Sequence, residues 1–336
     1  MTNTPSIVVA GDGQMGLVMA AIAAEASGGP IGVWGPFPDH VAELRRDRES
    51  KRLPGWTIPD SIELFDDPSV FAGAEFAVNA IPTQFIRDTW GRIGAHLPDA
   101  SLIVSTAKGL ETGSGKRPSQ ILEESIGRPG IEEATISGPT IASELAKKMP
   151  AVMLAASPNA EQAKRVGEIF GTAWLRIYQS DDLLGVELAG ALKNVIALAA
   201  GMCDGLELGF NAKSALLARG LAEMARYGVA AGARQETFFG VAGVGDLATT
   251  CFSPDGRNRS CGEAIGRGAS LEQYIEESMC VVEGVPTVES VLREAAVMGV
   301  DMPITVAIGS ILFAGVKPRD AIAGLMQRPT GGEGLG

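Results

Sequence analysis

A chain of 336 residues exceeds the roughly 250–300 that one hydrophobic core usually serves, so two domains are expected, with a cleft between them as the natural active site. A net charge of −12 excludes the concentrated basic face that nucleic acid or an anionic membrane surface would require. Four cysteines (Cys203, Cys251, Cys261, Cys280) form no CxxC pair and read as reduced thiols of a cytoplasmic protein.

The N-terminus lacks a basic and apolar secretory leader and enters a strand almost at once. No uninterrupted apolar run reaches the ~18 residues of a membrane span. From Ser6 to about Tyr178, short Val- and Ile-rich runs alternate with segments of helical period, which is the pattern of a parallel sheet built from strand–helix units. The expected strands are SIVVA, IGVW, EFAVNA, SLIVST, EATIS and AVMLAA. Ser180 reads as a helix N-cap and the domain boundary, separating a dinucleotide-binding domain at 1–180 from a helical domain at 181–336. Beyond it come two long Ala- and Leu-rich helices, then four shorter ones: LEQYIEESM, TVESVLREAAVMG, ITVAIGSILFAG and PRDAIAGLM. The tail RPTGGEGLG reads as disordered. The fold class is therefore α/β: an N-terminal Rossmann-like domain followed by an all-helical one.

Gly11, Gly13 and Gly16 stand between the first strand and an apolar helix, the context in which GxGxxG binds a dinucleotide. Gly11 would make the tight turn, Gly13 would admit the pyrophosphate, and Gly16 would let the helix pack closely. The helix N-terminus would offer N–H groups to the phosphates. Asp12 is out of place unless its carboxylate points away from them. The second strand ends in Gly35, Pro36 and Phe37, where an acid for a ribose hydroxyl or a base for a 2′-phosphate usually stands, so NAD and NADP are not distinguished.

The chain has two histidines, His40 and His96, both in polar surroundings, so lysine or a carboxylate must be considered first for proton transfer. Between Leu183 and Met202 the only charged or amide side chains are Glu187, Lys193 and Asn194. Lys193 has no acidic neighbour one helical turn away. Burial there would pull its pKa toward the range useful for acid–base work; the alternative is a lysine whose head snorkels to solvent. Lys108, just past a strand's carboxyl end, reads either as a ligand contact or as a surface lysine. In ISGPTIASE, a Gly-Pro turn with Thr140 capping the next helix is the structural alternative to ligand binding. Asp246 follows Gly240, Gly243 and Gly245, and reads either as a presented carboxylate or as an N-cap. The turn SPDG delivers Arg257, Asn258 and Arg259, which suit a phosphate dianion or a merely solvated corner.

The blocks EATISGPTIASELAK, LAGALKNVIALAAGMCDGLELGFNAKSALLARGLAEM, GVAGVGDLATTC, GRNR and VVEGVPT, in that order, resemble the NAD(P)-dependent glycerol-3-phosphate dehydrogenase family. The resemblance runs from Gly11 to about Pro303 and is most specific around Lys193. It implies interconversion of sn-glycerol 3-phosphate and dihydroxyacetone phosphate with NAD or NADP, a supply of glycerophospholipid precursor, a homodimer and no metal. By the same resemblance Lys193 is the proton-transferring residue. Lys108, Gly138, Thr140, Asp246, Gly256, Arg257 and Asn258 correspond to substrate contacts. Gly11, Gly13, Gln14, Met15, Gly16, Pro36, Lys108, Ala142, Arg257, Val281 and Glu283 correspond to cofactor contacts, Glu283 having a plain surface-loop carboxylate as its alternative. Asp246 would lie near Lys193 and favour its charged form. Gln14, Met15 and Pro36 depart from the family's serine, large aromatic and polar or basic residue, and Gly256 departs from its serine. Two rival readings are another two-domain dehydrogenase, acting on a hydroxy acid or a ketopantoate-like substrate, and a dinucleotide-binding regulator without turnover.

Overall fold

The computed structural model describes residues 5–128, 131–278 and 280–329, so most of the tail expected to be disordered lies outside the described residues. The chain forms two compact units. The first comprises residues up to Ala107 together with Pro118–Leu183; the second comprises Lys108–Arg117 and everything from Leu184 onward. The division falls three residues beyond the expected one, and ten residues from the middle of the N-terminal half belong to the second unit.

The first unit is built on β1 (Ile7–Ala10), β2 (Ile31–Trp34), β3 (Glu49–Ser50), β4 (Leu53–Thr57), β5 (Ile62–Phe65), β6 (Phe76–Asn79), β7 (Leu102–Ser105), β8 (Glu132–Ser137), β9 (Ala151–Ala156) and β10 (Leu175–Ser180). Eight of these make one sheet in the order β10-β9-β8-β7-β6-β1-β2-β5, while β3 and β4 pair separately. All neighbours in the large sheet are parallel except β8 and β9, which run antiparallel. Alternate residues feed opposite cores: Val8, Ala10, Ala77 and Ile103 on one face, Ile7, Val9, Val78, Leu102 and Val104 on the other. Both faces are covered, so the strands read as continuous apolar runs, as a doubly wound sheet requires. Strand order reverses at β1, between β2 and β6, which places the loop after β1 at the topological switch point.

Ser180 is the last residue of β10, and its hydroxyl accepts the Asp182 N–H at 3.1 Å. The next helix begins only at Leu183, so Ser180 closes the strand instead of capping the helix. That helix, Leu183–Gly205, is long and apolar enough to cross a membrane, but 89% of its most apolar window is buried inside the protein. It is the central helix of the second unit, whose other helices are Gly209–Ala230, Gln235–Phe239, Asp246–Phe252, Arg257–Gly266, Leu271–Ser278, Gly284–Met298, Pro303–Ala314 and Pro318–Met326. One apolar cluster, including Leu192, Val195, Ile196, Met224, Phe238 and Val288, joins them apart from the last helix, Pro318–Met326.

The helices Leu183–Gly205 and Arg257–Gly266 touch backbone to backbone. A Cβ on Gly201 would lie 1.9 Å from the Arg259 carbonyl oxygen, and one on Gly262 would lie 2.0 Å from that of Leu198. No side chain fits between them, which fixes the N-terminal corner Arg257–Asn258 against the turn that carries Lys193.

Candidate active site

Lys193 leaves the middle of the central helix, and its side chain is only 8% exposed. It does not snorkel. Its Nζ donates to Asp246 Oδ1 at 2.5 Å and to Thr250 Oγ1 at 2.6 Å. Asp246 is the first residue of its helix, with Gly245 at the capping position, so the carboxylate is not an N-cap. The turn before it is wide, the Gly245 N–H reaching back five residues to the Gly240 carbonyl at 3.3 Å. Such a local widening re-aims the residue that follows. The second carboxylate oxygen, Oδ2, accepts from Lys108 Nζ at 2.6 Å. One carboxylate, itself 1% exposed, thus lies between two ammonium groups.

The electrostatic balance is specific. Burial pulls the Lys193 pKa down from 10.5 to about 8; the Asp246 carboxylate opposes this, and the positive charge of Lys108 adds to it. An amine with a pKa of about 8 can serve as either acid or base near neutrality.

Lys108 reaches this cluster because the chain leaves the first unit after β7 and crosses onto the second. The excursion is anchored at several points. Asn194 Nδ2 donates to the Lys108 carbonyl at 2.8 Å, Ser290 Oγ donates to the Glu111 carbonyl at 3.2 Å, and Arg117 forms an ion pair with the buried Glu187 carboxylate. Asn194 also links the lysines to the arginine corner: its Oδ1 accepts from Asn258 Nδ2 at 2.9 Å, and Asn258 Oδ1 accepts the Gly284 N–H at 2.9 Å. Arg257 begins its helix directly after Gly256, so this corner is a helix N-terminus and not a loop. The Arg257 guanidinium is exposed and donates to the Val281 carbonyl at 3.1 Å. Glu283 is 7% exposed and precedes the helix Gly284–Met298, so it is not a surface-loop carboxylate.

The second unit therefore gathers Lys108, Lys193, Asp246, Gly256, Arg257, Asn258, Val281 and Glu283 from the residues singled out in the sequence. It adds two that were not assigned a role. Asn194 is the residue after the lysine, and Thr250 follows Asp246 by four, one helical turn, a spacing visible only once that segment is known to be a helix.

The remaining candidates lie in the first unit. Gly11 has φ +117°, and a Cβ there would meet the Ala80 carbonyl oxygen at 2.9 Å. A Cβ on Gly16 would lie 1.9 Å from the Gly11 carbonyl oxygen, whereas the space beside Gly13 is open to 4 Å. Tight packing behind the loop and room in front of it fit a pyrophosphate over the N-terminus of the helix Gln14–Ser27. In that helix's first turn, Gln14 is exposed and donates to the Arg52 carbonyl, and Met15 packs against the sheet core. Pro36 lies between β2 and the helix Pro38–Asp47. Gly138 follows β8 with φ +146°, and Thr140 Oγ1 donates back to the Gly138 carbonyl at 3.0 Å. Thr140 does not cap the next helix: Ala142–Ala146 is preceded by Ile141, with no side-chain cap.

Comparison with known proteins covers both units. The family model for the N-terminus of NAD-dependent glycerol-3-phosphate dehydrogenase matches residues 6–163, and that for its C-terminus matches 182–323. A glycerol-3-phosphate dehydrogenase [NAD(P)+] of Prosthecochloris aestuarii is 42% identical over 327 residues, 96% of this chain and 98% of that protein. One from Geobacillus kaustophilus is 41% identical over 96% of this chain and 94% of its own. The crystal structure of glycerol-3-phosphate dehydrogenase from Coxiella burnetii is similar with a TM-score of 0.91 and 31% identity, covering 97% of this chain and 100% of that one.

Proposed function

The chain belongs to the NAD-dependent glycerol-3-phosphate dehydrogenase family, and on that premise we propose that it interconverts sn-glycerol 3-phosphate and dihydroxyacetone phosphate, with Lys193 moving the proton. The observation that carries this reading is the buried Lys193–Asp246–Lys108 cluster with Thr250 at its edge. The nicotinamide of a bound NAD or NADP would take or supply the hydride at substrate carbon 2.

In the oxidative direction the neutral Lys193 amine accepts the proton of the carbon-2 hydroxyl as the hydride departs. Asp246 Oδ1 and Thr250 Oγ1 lie within hydrogen-bond reach of the ammonium that results. In the reductive direction the ammonium donates that proton to the carbonyl oxygen. Lys108 and Asp246 are the groups available to hold the substrate hydroxyls, and Arg257 and Asn258 the phosphate, for which a guanidinium beside a helix N-terminus is well suited. The open loop at Gly13, the turn at Gly138 and the helix start at Ala142 supply the remaining backbone contacts. Gln14, Met15, Pro36, Val281 and Glu283 complete the cofactor contacts, and Gly256 and Thr140 those of the substrate. The first unit is thus read as the dinucleotide-binding domain, the second as the substrate-binding and catalytic one.

We further place the protein in the cytoplasm as a homodimer that supplies glycerol 3-phosphate for phospholipid synthesis. Four free cysteines support a reducing compartment. The exposed Val306, Phe313 and Met326 of the last two helices support pairing of two copies.

A spectrophotometric assay of reduced nicotinamide with dihydroxyacetone phosphate tests the activity, and its pH dependence tests the lysine. The neutral amine accumulates as pH rises through about 8, so oxidation of glycerol 3-phosphate is expected to accelerate across that interval and reduction of dihydroxyacetone phosphate to slow. Absence of turnover with the phosphorylated ketone would leave a silent regulator as the better reading. Turnover of a hydroxy acid instead would favour the related dehydrogenases.

A further inference from the structure

Asp12 stands between Gly11 and Gly13 of the phosphate loop, where a carboxylate pointing at the pyrophosphate would repel it. It does not point there. Its side chain is 11% exposed, and among the described residues its only partner is His40, whose Nδ1 donates to Oδ2 at 2.8 Å. His40 is the third residue of the helix that follows β2. The carboxylate has turned sideways across the sheet, toward the end of β2.

Gly35 shows how far it reaches. A Cβ on Gly35 would lie 2.2 Å from Asp12 Oδ2 and 2.6 Å from its Cγ. Gly35 is not in the left-handed region, so the glycine is required by close approach, of the Asp12 carboxylate first and of Val41 Cγ2 at 2.7 Å second, and not by backbone conformation. The residue at the end of β2, 19 positions after Gly16, is where a dinucleotide fold ordinarily carries the acid for the adenosine ribose. Here that position has no side chain, and the space a side chain would take holds the Asp12 carboxylate.

The three arginines of the helix after β2 and its C-cap are already engaged. Arg45 donates to Asp66 at 2.7 Å and to the Leu64 carbonyl at 2.9 Å; Arg46 pairs with Asp47 at 2.7 Å; Arg48 donates to the carbonyls of Ile58, Pro59 and Ile62. A ribose 2′-phosphate at the end of β2 would meet a fixed carboxylate and no guanidinium from these three arginines.

We propose that Asp12 is the specificity-determining residue of the coenzyme site, supplying from the glycine loop the carboxylate that β2 lacks, accepting hydrogen bonds from the adenosine ribose hydroxyls and rejecting a 2′-phosphate. The chain is then an NAD enzyme in preference to an NADP one. This rests on the dinucleotide reading of the loop given above. His40 acts as a positioning residue that keeps the carboxylate sideways.

Equilibrium titration of the purified protein with NADH and with NADPH, followed by calorimetry, tests this without turnover. The native chain is expected to bind NADH about 10- to 100-fold more tightly, the span of one charge-assisted hydrogen bond. Asp12→Asn, which keeps shape and removes charge, is expected to bring the two affinities within about threefold, through weaker NADH and stronger NADPH binding. Gly35→Ala keeps the charge but displaces the carboxylate, and is expected to narrow the ratio as well. A native preference for NADPH, or an unchanged ratio in both folded variants, would overturn the proposal. Binding of neither coenzyme by the native chain would overturn the dinucleotide site itself, a distinct failure.

Discussion

Lys193→Met is expected to lower kcat in both directions by about two to four orders of magnitude, the span of one acid–base group, while the Kd for reduced dinucleotide stays unchanged. The substitution removes the amine that bridges Asp246 and Thr250, at 2.5 and 2.6 Å, and does not alter the glycine loop's own residues. It is also expected to unfold no earlier than the native chain at neutral pH. Lys193 titrates lower in the folded protein than in an unfolded chain, about 8 against 10.5. Between those values the unfolded chain binds more protons, so stability rises with pH across the interval, and the cost of the buried charge is fully present below about 8. Methionine fills the space without that cost, and Asp246 keeps Lys108 as its partner at 2.6 Å. Steady-state kinetics, fluorescence titration and a thermal melt measure the three quantities. A variant within about tenfold of native turnover would move the acid–base role to another residue.

Removing the phosphate from the substrate is expected to cost about two to four orders of magnitude in kcat/KM, and part of that loss should appear in kcat. The Arg257 guanidinium is exposed and, among the described residues, tethered only to the Val281 carbonyl at 3.1 Å, and Asn258 is fixed between Asn194 and the Gly284 N–H. Backbone contact through Gly201 and Gly262 fixes that corner relative to Lys193. Binding energy spent on the phosphate would therefore be converted into orientation of carbon 2 at the amine. Arg257→Ala should penalise dihydroxyacetone phosphate heavily and dihydroxyacetone hardly at all. Equal penalties for the two ketones would show that the arginine does not hold the phosphate.

Much of this arrangement is legible in the order of residues, and the illegible parts have physical causes. All six expected strands exist, because both faces of the sheet are buried and the strands read as apolar runs. The other four carry weaker signals: β5, IELF, and β10, LRIYQS, are the two edge strands of the sheet and interleave polar side chains, while β3 and β4 form a separate short pair. The departure of 108–117 to the second unit has no local signature, since it depends on anchors such as Arg117–Glu187 that lie 70 residues apart. The burial of Lys193 follows from its apolar helix, but its partner does not, because Asp246 approaches from 53 residues away. Thr250 has no local signature either, since its partner Lys193 lies 57 residues away. Asp12 was recognisable as misplaced, yet only coordinates show its carboxylate over Gly35.

The most direct test is titration of the Lys193 amine itself in lysine-labelled protein, its NMR signal assigned by its loss in Lys193→Met. A midpoint of about 8 is expected, moving lower in Asp246→Asn, which loses the opposing carboxylate, and higher in Lys108→Met, which loses the neighbouring charge. A native midpoint near 10.5, unmoved by either substitution, would contradict a lysine tuned by burial between Asp246 and Lys108.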